Sequence, residues 1–258
     1  MGVIRSMSMY EAPIWAGRLS AVNRLVLGRL QRVMATRAVR GYRTISRDAA
    51  CLLAGSVPWD IDAEALADVY WRCAADSNPL LDVMRRWRAE ASERSLDLWA
   101  ERLQEPLVSV ALIEAIRPLF KGWVKRRHGA LSFHLTQMLT GHGCFGRYLC
   151  QIARRESDTR CHHCLNEMDT AEHTLSTCPS WTEQRAALTA AIGVDLSLPS
   201  IIRAMLSNEI AWQAVNDFAQ DVITAKEEAE RRREREAFDP LRRPRRGRAP
   251  RSGRSALP

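Results

Sequence analysis

The sequence predicts an all-α fold that carries one small zinc module and trails into a disordered basic tail. Three observations lead to that expectation. Apolar residues recur at helical spacing along most of the 258-residue chain. Ser, Gly and Pro fall where such helices need caps and stops. Three cysteines and three histidines gather between residues 158 and 182, in a stretch too short to hold a core of its own.

The elements follow in order. Between Arg18 and Arg40, Leu19, Val22, Leu25, Val26, Leu30, Val33 and Met34 form an apolar stripe. Arg24, Arg29, Arg32 and Arg37 lie mostly off it, and Gly41 is the expected stop. Ser46 caps a short helix through Leu53 that ends at Gly55. Pro58-Trp59-Asp60 opens another, with Ala65, Leu66, Val69, Tyr70 and Cys73 on one face, and Ser77-Asn78-Pro79 breaks it. Residues 80–104 form a long charged helix with one stripe of Leu81, Met84, Trp87, Ala91, Leu96 and Trp99. A helix follows Pro106 and is interrupted near Pro118. Residues 130–140 and 144–155 are two shorter helices hinged at Gly141-His142-Gly143. Ser180 and Glu183 fit a capping box that starts a helix ending near Gly193. Segments 199–207 and 209–236 are helical, the latter becoming polar all round. From Phe238 on, Pro and Arg dominate and disorder is expected.

Composition limits the function classes. Hydrophobic residues at 46% and charged residues at 26% are enough for a packed core without disulfides. No apolar run reaches a membrane span and no secretory leader is visible, so no membrane partner is expected. Seven cysteines without a leader point to a reducing, intracellular compartment. The net charge of +8 is segregated. The stretch from Arg231 to Pro258 alone carries +8 and residues 1–230 balance to zero. Residues 1–59 carry +7 and 115–155 carry +8, whereas 60–114 carry −6 and 156–230 carry −9. Either the basic segments meet phosphate or they neutralise the acidic ones.

The zinc set is Cys161-x2-Cys164-x8-His173-x4-Cys178. Zinc takes four tetrahedral thiolate or imidazole ligands, and C-x2-C is the usual tight-turn pair. Four protein ligands leave no open position, so the ion is structural and its binding supplies folding free energy. Three thiolates leave the centre negative, which favours nearby cations such as Arg160 and Arg185. His162 and His163, inside the turn, are expected to point outward; His142 and Cys144 lack a partner pair. Gly141-x-Gly143-x2-Gly146 follows a helix, not a strand, and reads as a tight turn and not a phosphate loop. No nucleophile elbow, Walker loop or adjacent Asp pair is present, so no small-molecule substrate is expected. Lys121, Trp123, Lys125, Arg126 and Arg127 form a basic run with an aromatic, suited to single-stranded nucleic acid. The alternative is a solvated helix end. The tryptophans otherwise fall at core spacing.

Asp169-Thr-Ala-Glu-His-Thr-Leu-Ser-Thr-Cys178-Pro-Ser-Trp181 resembles the zinc knuckle near the C-terminus of arthropod non-LTR (LINE-type) retrotransposon reverse transcriptases. Three further stretches agree in order: Ala38-Val-Arg-Gly-Tyr-Arg-Thr-Ile-Ser46, Ala50-Cys-Leu-Leu-Ala-Gly55 with Pro58, and Leu135-Thr-Gln-Met-Leu-Thr-Gly-His-Gly143 with Tyr148-Leu149. Tyr10-Glu-Ala-Pro-Ile-Trp15 is similar to the segment after the polymerase palm, with Glu11 in place of a glycine. The resemblance spans about 10–230. It implies a thumb-like helical segment at 1–45, a helical connector at 46–157, a CCHC zinc knuckle at 158–182, C-terminal helices at 183–237 and an Arg-rich tail at 238–258. It further implies contact with template RNA or single-stranded or target DNA, with Arg40 and Arg43 joining the basic run, and a nuclear location. The family's polymerase Asp pair and an acidic nuclease pattern are missing from the sequence. The chain is therefore expected to bind nucleic acid without polymerising it, as a truncated copy or a fragmentary gene model. The alternative is a protein-interaction module with a purely structural zinc.

Overall fold

The structure, a computed structural model, describes residues 2–76 and 78–235. The predicted Arg-rich tail, 238–258, lies outside them. The helices are α1 (Gly2–Ser8), α2 (Ala12–Trp15), α3 (Ala21–Ala38), α4 (Arg47–Ala54), α5 (Trp59–Ala75), α6 (Leu81–Arg102), α7 (Val110–Ile116), α8 (Phe120–Lys125), α9 (Phe133–Thr140), α10 (Gly146–Gln151), α11 (Thr182–Ile192), α12 (Leu198–Ser207) and α13 (Glu209–Arg235). No strand occurs among the described residues, so the fold is all-α as predicted. None of their helices is long and apolar enough to cross a membrane. The expected interruption near Pro118 is a 3₁₀ turn, Arg117–Leu119, between α7 and α8.

Local chemistry sets several boundaries. Ser20, Ser46 and Ser132 cap α3, α4 and α9, each hydroxyl accepting the amide three residues on at 3.2, 3.2 and 3.1 Å. Gly55 and Gly141 end α4 and α9 in the left-handed region, at φ 61° and 68°. Ser180 departs from the expectation. It sits in a 3₁₀ turn, Pro179–Trp181, and α11 starts at Thr182 without a side-chain cap. The Ser180 hydroxyl instead donates to the His163 carbonyl at 3.0 Å, tying the two ends of the cysteine-rich segment together.

One core runs from the end of α3 through the 158–182 loop to the C-terminal helices. Trp99, Trp123, Phe145, Leu149, Cys161 and Cys178 belong to it together with Trp212, Phe218 and Ile223. The spine is α13, which packs on α9, α11 and α12. Its Trp212, Val215, Phe218, Ala219, Val222 and Ile223 recur at three- and four-residue steps. Its later turns are polar in sequence as expected, yet Lys226 and Glu230 are buried. A smaller cluster of Met9, Ala12, Ala16, Trp59 and Ala63 seats α2 on α5.

Most of the stripe that predicted α3 faces solvent, while Met34 at its end packs against the smaller cluster. Val22, Leu25, Val26, Leu30 and Val33 are exposed, while Gly28, Gln31, Ala35 and Thr36 are buried. Gln31 accepts the Trp59 amide at 2.9 Å and donates to the Val57 carbonyl at 2.7 Å, which fixes α3 to the α4–α5 turn. In α6 the predicted stripe is buried only in its second half, at Ala91, Leu96 and Trp99; Leu81 is exposed.

Candidate metal centre and basic surfaces

Residues 158–182 fold as an irregular loop followed by a short helical turn, His173–Thr177. Leu165 takes a left-handed φ of 63°, and its amide donates to the Cys161 carbonyl at 2.8 Å. The Cys161 amide in turn donates to Asn166 O at 2.8 Å, closing the C-x2-C turn. The amides of His163 and Cys164 hydrogen-bond to the Cys161 sulfur, and that of Ser180 to the Cys178 sulfur. Amide donors on a thiolate are what a bound cation's ligand set needs to spread its charge.

The four predicted ligands converge. Their donor atoms all lie within 4.8 Å of one another. Cys161 Sγ is 4.0 Å from Cys178 Sγ, and Cys164 Sγ is 3.2 Å from His173 Nε2. A tetrahedral zinc with Zn–S bonds of ~2.3 Å gives sulfur–sulfur edges of about 3.8 Å, so the set fits a four-coordinate ion of that size. His173 Nδ1 lies 3.0 Å from Thr177 Oγ1, which orients the ring with Nε2 toward the sulfurs. Without a cation, burial pushes the Cys161 thiol up to about 12 and raises the Cys178 thiol. A metal ion would take the place of those protons. The donor set could therefore hold a metal, and its chemistry suits a closed, non-catalytic site.

The module is anchored by an interaction that the sequence reading missed. Asp169 is 2% exposed and so is Lys226 of α13. Lys226 Nζ donates to both Asp169 oxygens, at 2.8 and 2.9 Å. Asp169 Oδ2 also accepts the Gly146 amide at 2.9 Å, and its backbone carbonyl accepts the Arg147 amide at 3.0 Å. Gly146 is needed there: a Cβ would meet the Thr159 and Arg160 carbonyls at 2.7 Å. One aspartate thus joins the start of α10, the candidate metal loop and α13. The visible signal was Asp169 at the head of the knuckle motif and a lone lysine in α13. No spacing rule links residues 57 apart.

Of the two predicted cations, Arg185 reaches the module and Arg160 does not bond into it by its side chain. Arg185 donates to the carbonyls of Leu175 and Cys178, both at 2.7 Å, and caps the end of the helical turn. His162 and His163 do not point outward. His163 packs on Trp181 at 4.7 Å between rings, with burial pushing its pKa down to about 4. His162 lies 3.9 Å from buried Glu156. His142 and Cys144 do not form a pair. His142 Nδ1 bonds Thr44 Oγ1 at 3.0 Å, and Cys144 is buried against α13.

The predicted basic run is largely committed to the protein. Trp123 is fully buried and donates to the Leu52 carbonyl at 2.9 Å, so its ring has no face for a base. Arg126 stacks over Trp123 at 4.3 Å and donates to the Trp123 and Leu53 carbonyls. Lys121 pairs with Asp97 at 2.7 Å and Lys125 with Glu93. Here the acidic stretch 60–114 meets the basic one. Arg40, Arg43 and Arg127 are exposed, Arg40 with a left-handed φ of 54°.

No family model and no solved structure matches the chain. Curated relatives do. It is 25% identical over 213 residues to the Retrovirus-related Pol polyprotein from type-1 retrotransposable element R1 4 of Nasonia vitripennis, covering 80% of this chain and 54% of that protein. It is 27% identical over 198 residues to the R1 3 polyprotein of the same wasp, covering 69% and 50%. It is 25% identical over 238 residues to a putative 115 kDa protein in element R1DM of Drosophila melanogaster, covering 86% and 22%. The chain thus spans about half the length of the wasp polyproteins it matches. The relatives it matches are proteins of R1 retrotransposable elements, most of them Pol polyproteins, and the chain is similar to them over most of its length.

Proposed function

We propose that this chain is a nucleic-acid-binding module of a retrotransposon reverse-transcriptase protein, holding template RNA or target DNA by its phosphates in the nucleus. One Zn²⁺ on Cys161, Cys164, His173 and Cys178 plays a structural part. The chain contributes no polymerase site of its own, in line with the missing Asp pair. The observation that supports the reading is homology to Pol polyproteins over four fifths of the chain, joined to a donor set suited to zinc. The test is anisotropy titration of a labelled single-stranded RNA at two salt concentrations, with wild type and Cys161→Ser assayed for bound zinc. Log affinity should fall with log salt by about 0.7 per phosphate contacted. Zinc-replete protein with no RNA or DNA affinity at low salt refutes the reading.

A second reading has one observation in its favour. The exposed apolar face of α3, Val22, Leu25, Val26, Leu30 and Val33, is the kind of surface that a protein partner covers. On that reading the zinc only ties helices together, and affinity for a partner is insensitive to salt.

A further inference from the structure

A cleft of about 680 Å³ opens between α3, the end of the Tyr42–Ser46 loop and the residue before α7. Three arginines line it, Arg29, Arg32 and Arg47, with the hydroxyls of Thr44, Ser46 and Ser109 and the ring of His142; no carboxylate lines it. The three guanidiniums play different parts. Arg32 is held by the carbonyls of Ile45 and Arg43, at 2.9 and 2.6 Å. Arg47 lies across the bare backbone of Gly28, where a Cβ would strike its guanidinium, and reaches Asp48 at 3.2 Å. Arg29 is exposed on the cleft-facing side of α3. Ser109 has a left-handed φ of 55°, an expensive conformation for a residue with a side chain, and its Oγ sits 2.9 Å from Ser46 Oγ. Past Ser109, His142 and Ile152 the cleft continues into a pocket of about 630 Å³ whose walls include Leu139, Phe145 and Tyr148.

We infer that this cleft is where the phosphodiester backbone of a single strand lies, with an unpaired base directed into the adjoining pocket. The inference rests on the nucleic-acid reading above and assigns it to residues outside the basic run at 121–127. Cationic forks, hydroxyl donors and no carboxylate match phosphate oxygens. An apolar pocket opening off a phosphate track suits a splayed base and is of no use to a paired one. Glu114 and Glu172 line the adjoining pocket, and neither lines the arginine cleft.

The test uses the full, zinc-loaded chain. Arg29→Glu/Arg47→Glu is compared with Arg85→Glu/Arg88→Glu, an equal charge change on exposed residues of α6. Both are titrated with a labelled single-stranded RNA, the same sequence as DNA, and its duplex, with helix content and zinc stoichiometry confirmed. The cleft variant should lose on the order of 100-fold in single-strand affinity and about two phosphate contacts' worth of salt slope. The α6 variant should change by under about threefold, and the duplex should bind more weakly than either single strand. Equal losses in both variants overturn the cleft assignment in favour of diffuse charge. An unchanged cleft variant in a protein that does bind RNA overturns it while leaving the proposed function standing. A wild type that binds no strand overturns both.

Discussion

Lys226→Met puts the anchoring of the candidate metal module to the test. The methionine fills the volume of the lysine stem but leaves Asp169 charged and buried. The Gly146 amide at 2.9 Å and the Thr174 hydroxyl at 3.4 Å remain as its side-chain partners. Removing one member of a buried ion pair costs about 3–5 kcal/mol. For a chain of this size 1 kcal/mol moves the melting temperature by roughly 2–4 °C, so a drop of about 6–20 °C is expected. Asp169→Asn in the same protein removes the stranded charge while keeping an acceptor for Gly146. The double variant should therefore recover part of the loss, with a coupling of about 0.5–3 kcal/mol. Thermal unfolding followed by circular dichroism, in excess zinc, measures all four corners of the cycle. The deficit should persist at high salt, because screening reaches a buried pair poorly. A Lys226→Met protein within about 1 kcal/mol of wild type, or a double variant worse than the sum of the singles, would refute the argument.

Other perturbations separate packing from binding. Cys161→Ser should abolish stoichiometric metal binding and loosen residues 158–182, read by metal analysis and by amide exchange. Trp123→Ala should cost about 3–5 kcal/mol as a core cavity, and RNA affinity of the still-folded fraction should not change, because the ring is buried. Gly146→Ala should destabilise by forcing apart the Thr159 and Arg160 carbonyls, measured by denaturant midpoint. His142 has its pKa lowered from 6.5 by burial. The unfolded chain therefore binds its proton first, and stability on this account is full above about pH 6.5 and is lost as pH falls through the lower folded value. His142→Gln should flatten that part of the stability–pH curve.

Local and global information divided cleanly. Helix starts at Ser20, Ser46 and Ser132 and stops at Gly55 and Gly141 were readable because a cap is a contact between near neighbours in sequence. The convergence of Cys161, Cys164, His173 and Cys178 was readable for the same reason, all four lying within 18 residues. Ser180 shows where such rules stop. Its pairing with Glu183 has the right spacing, yet the hydroxyl finds the His163 carbonyl 17 residues back once the module folds. Asp169–Lys226 and Lys121–Asp97 were beyond reach because each joins segments whose meeting depends on the whole bundle. The charge segregation was legible, but in part it described internal neutralisation: Lys121 and Lys125 of the basic 115–155 stretch meet Asp97 and Glu93 of the acidic 60–114 stretch.

Helix α3 carries the least expected consequence. Its periodicity correctly announced a helix, and the face it announced is the one left outside. The buried positions are Gly28, Gln31, Ala35 and Thr36, with Leu27 and Met34 half-buried against the smaller cluster, and Gln31 satisfies three backbone groups around Ser56, Val57 and Trp59. The outer face is Val22, Leu25, Val26, Leu30 and Val33, bordered by Arg29 at the rim of the arginine cleft. Periodicity measures amphipathicity and is blind to which face has a partner within the chain. If the outer face only waits for a partner, Val26→Asp/Leu30→Asp should leave the melting temperature nearly unchanged, since exposed sites contribute within about ±0.5 kcal/mol. A loss above about 2 kcal/mol would mean that those side chains already support the fold, and the second reading would lose its one support.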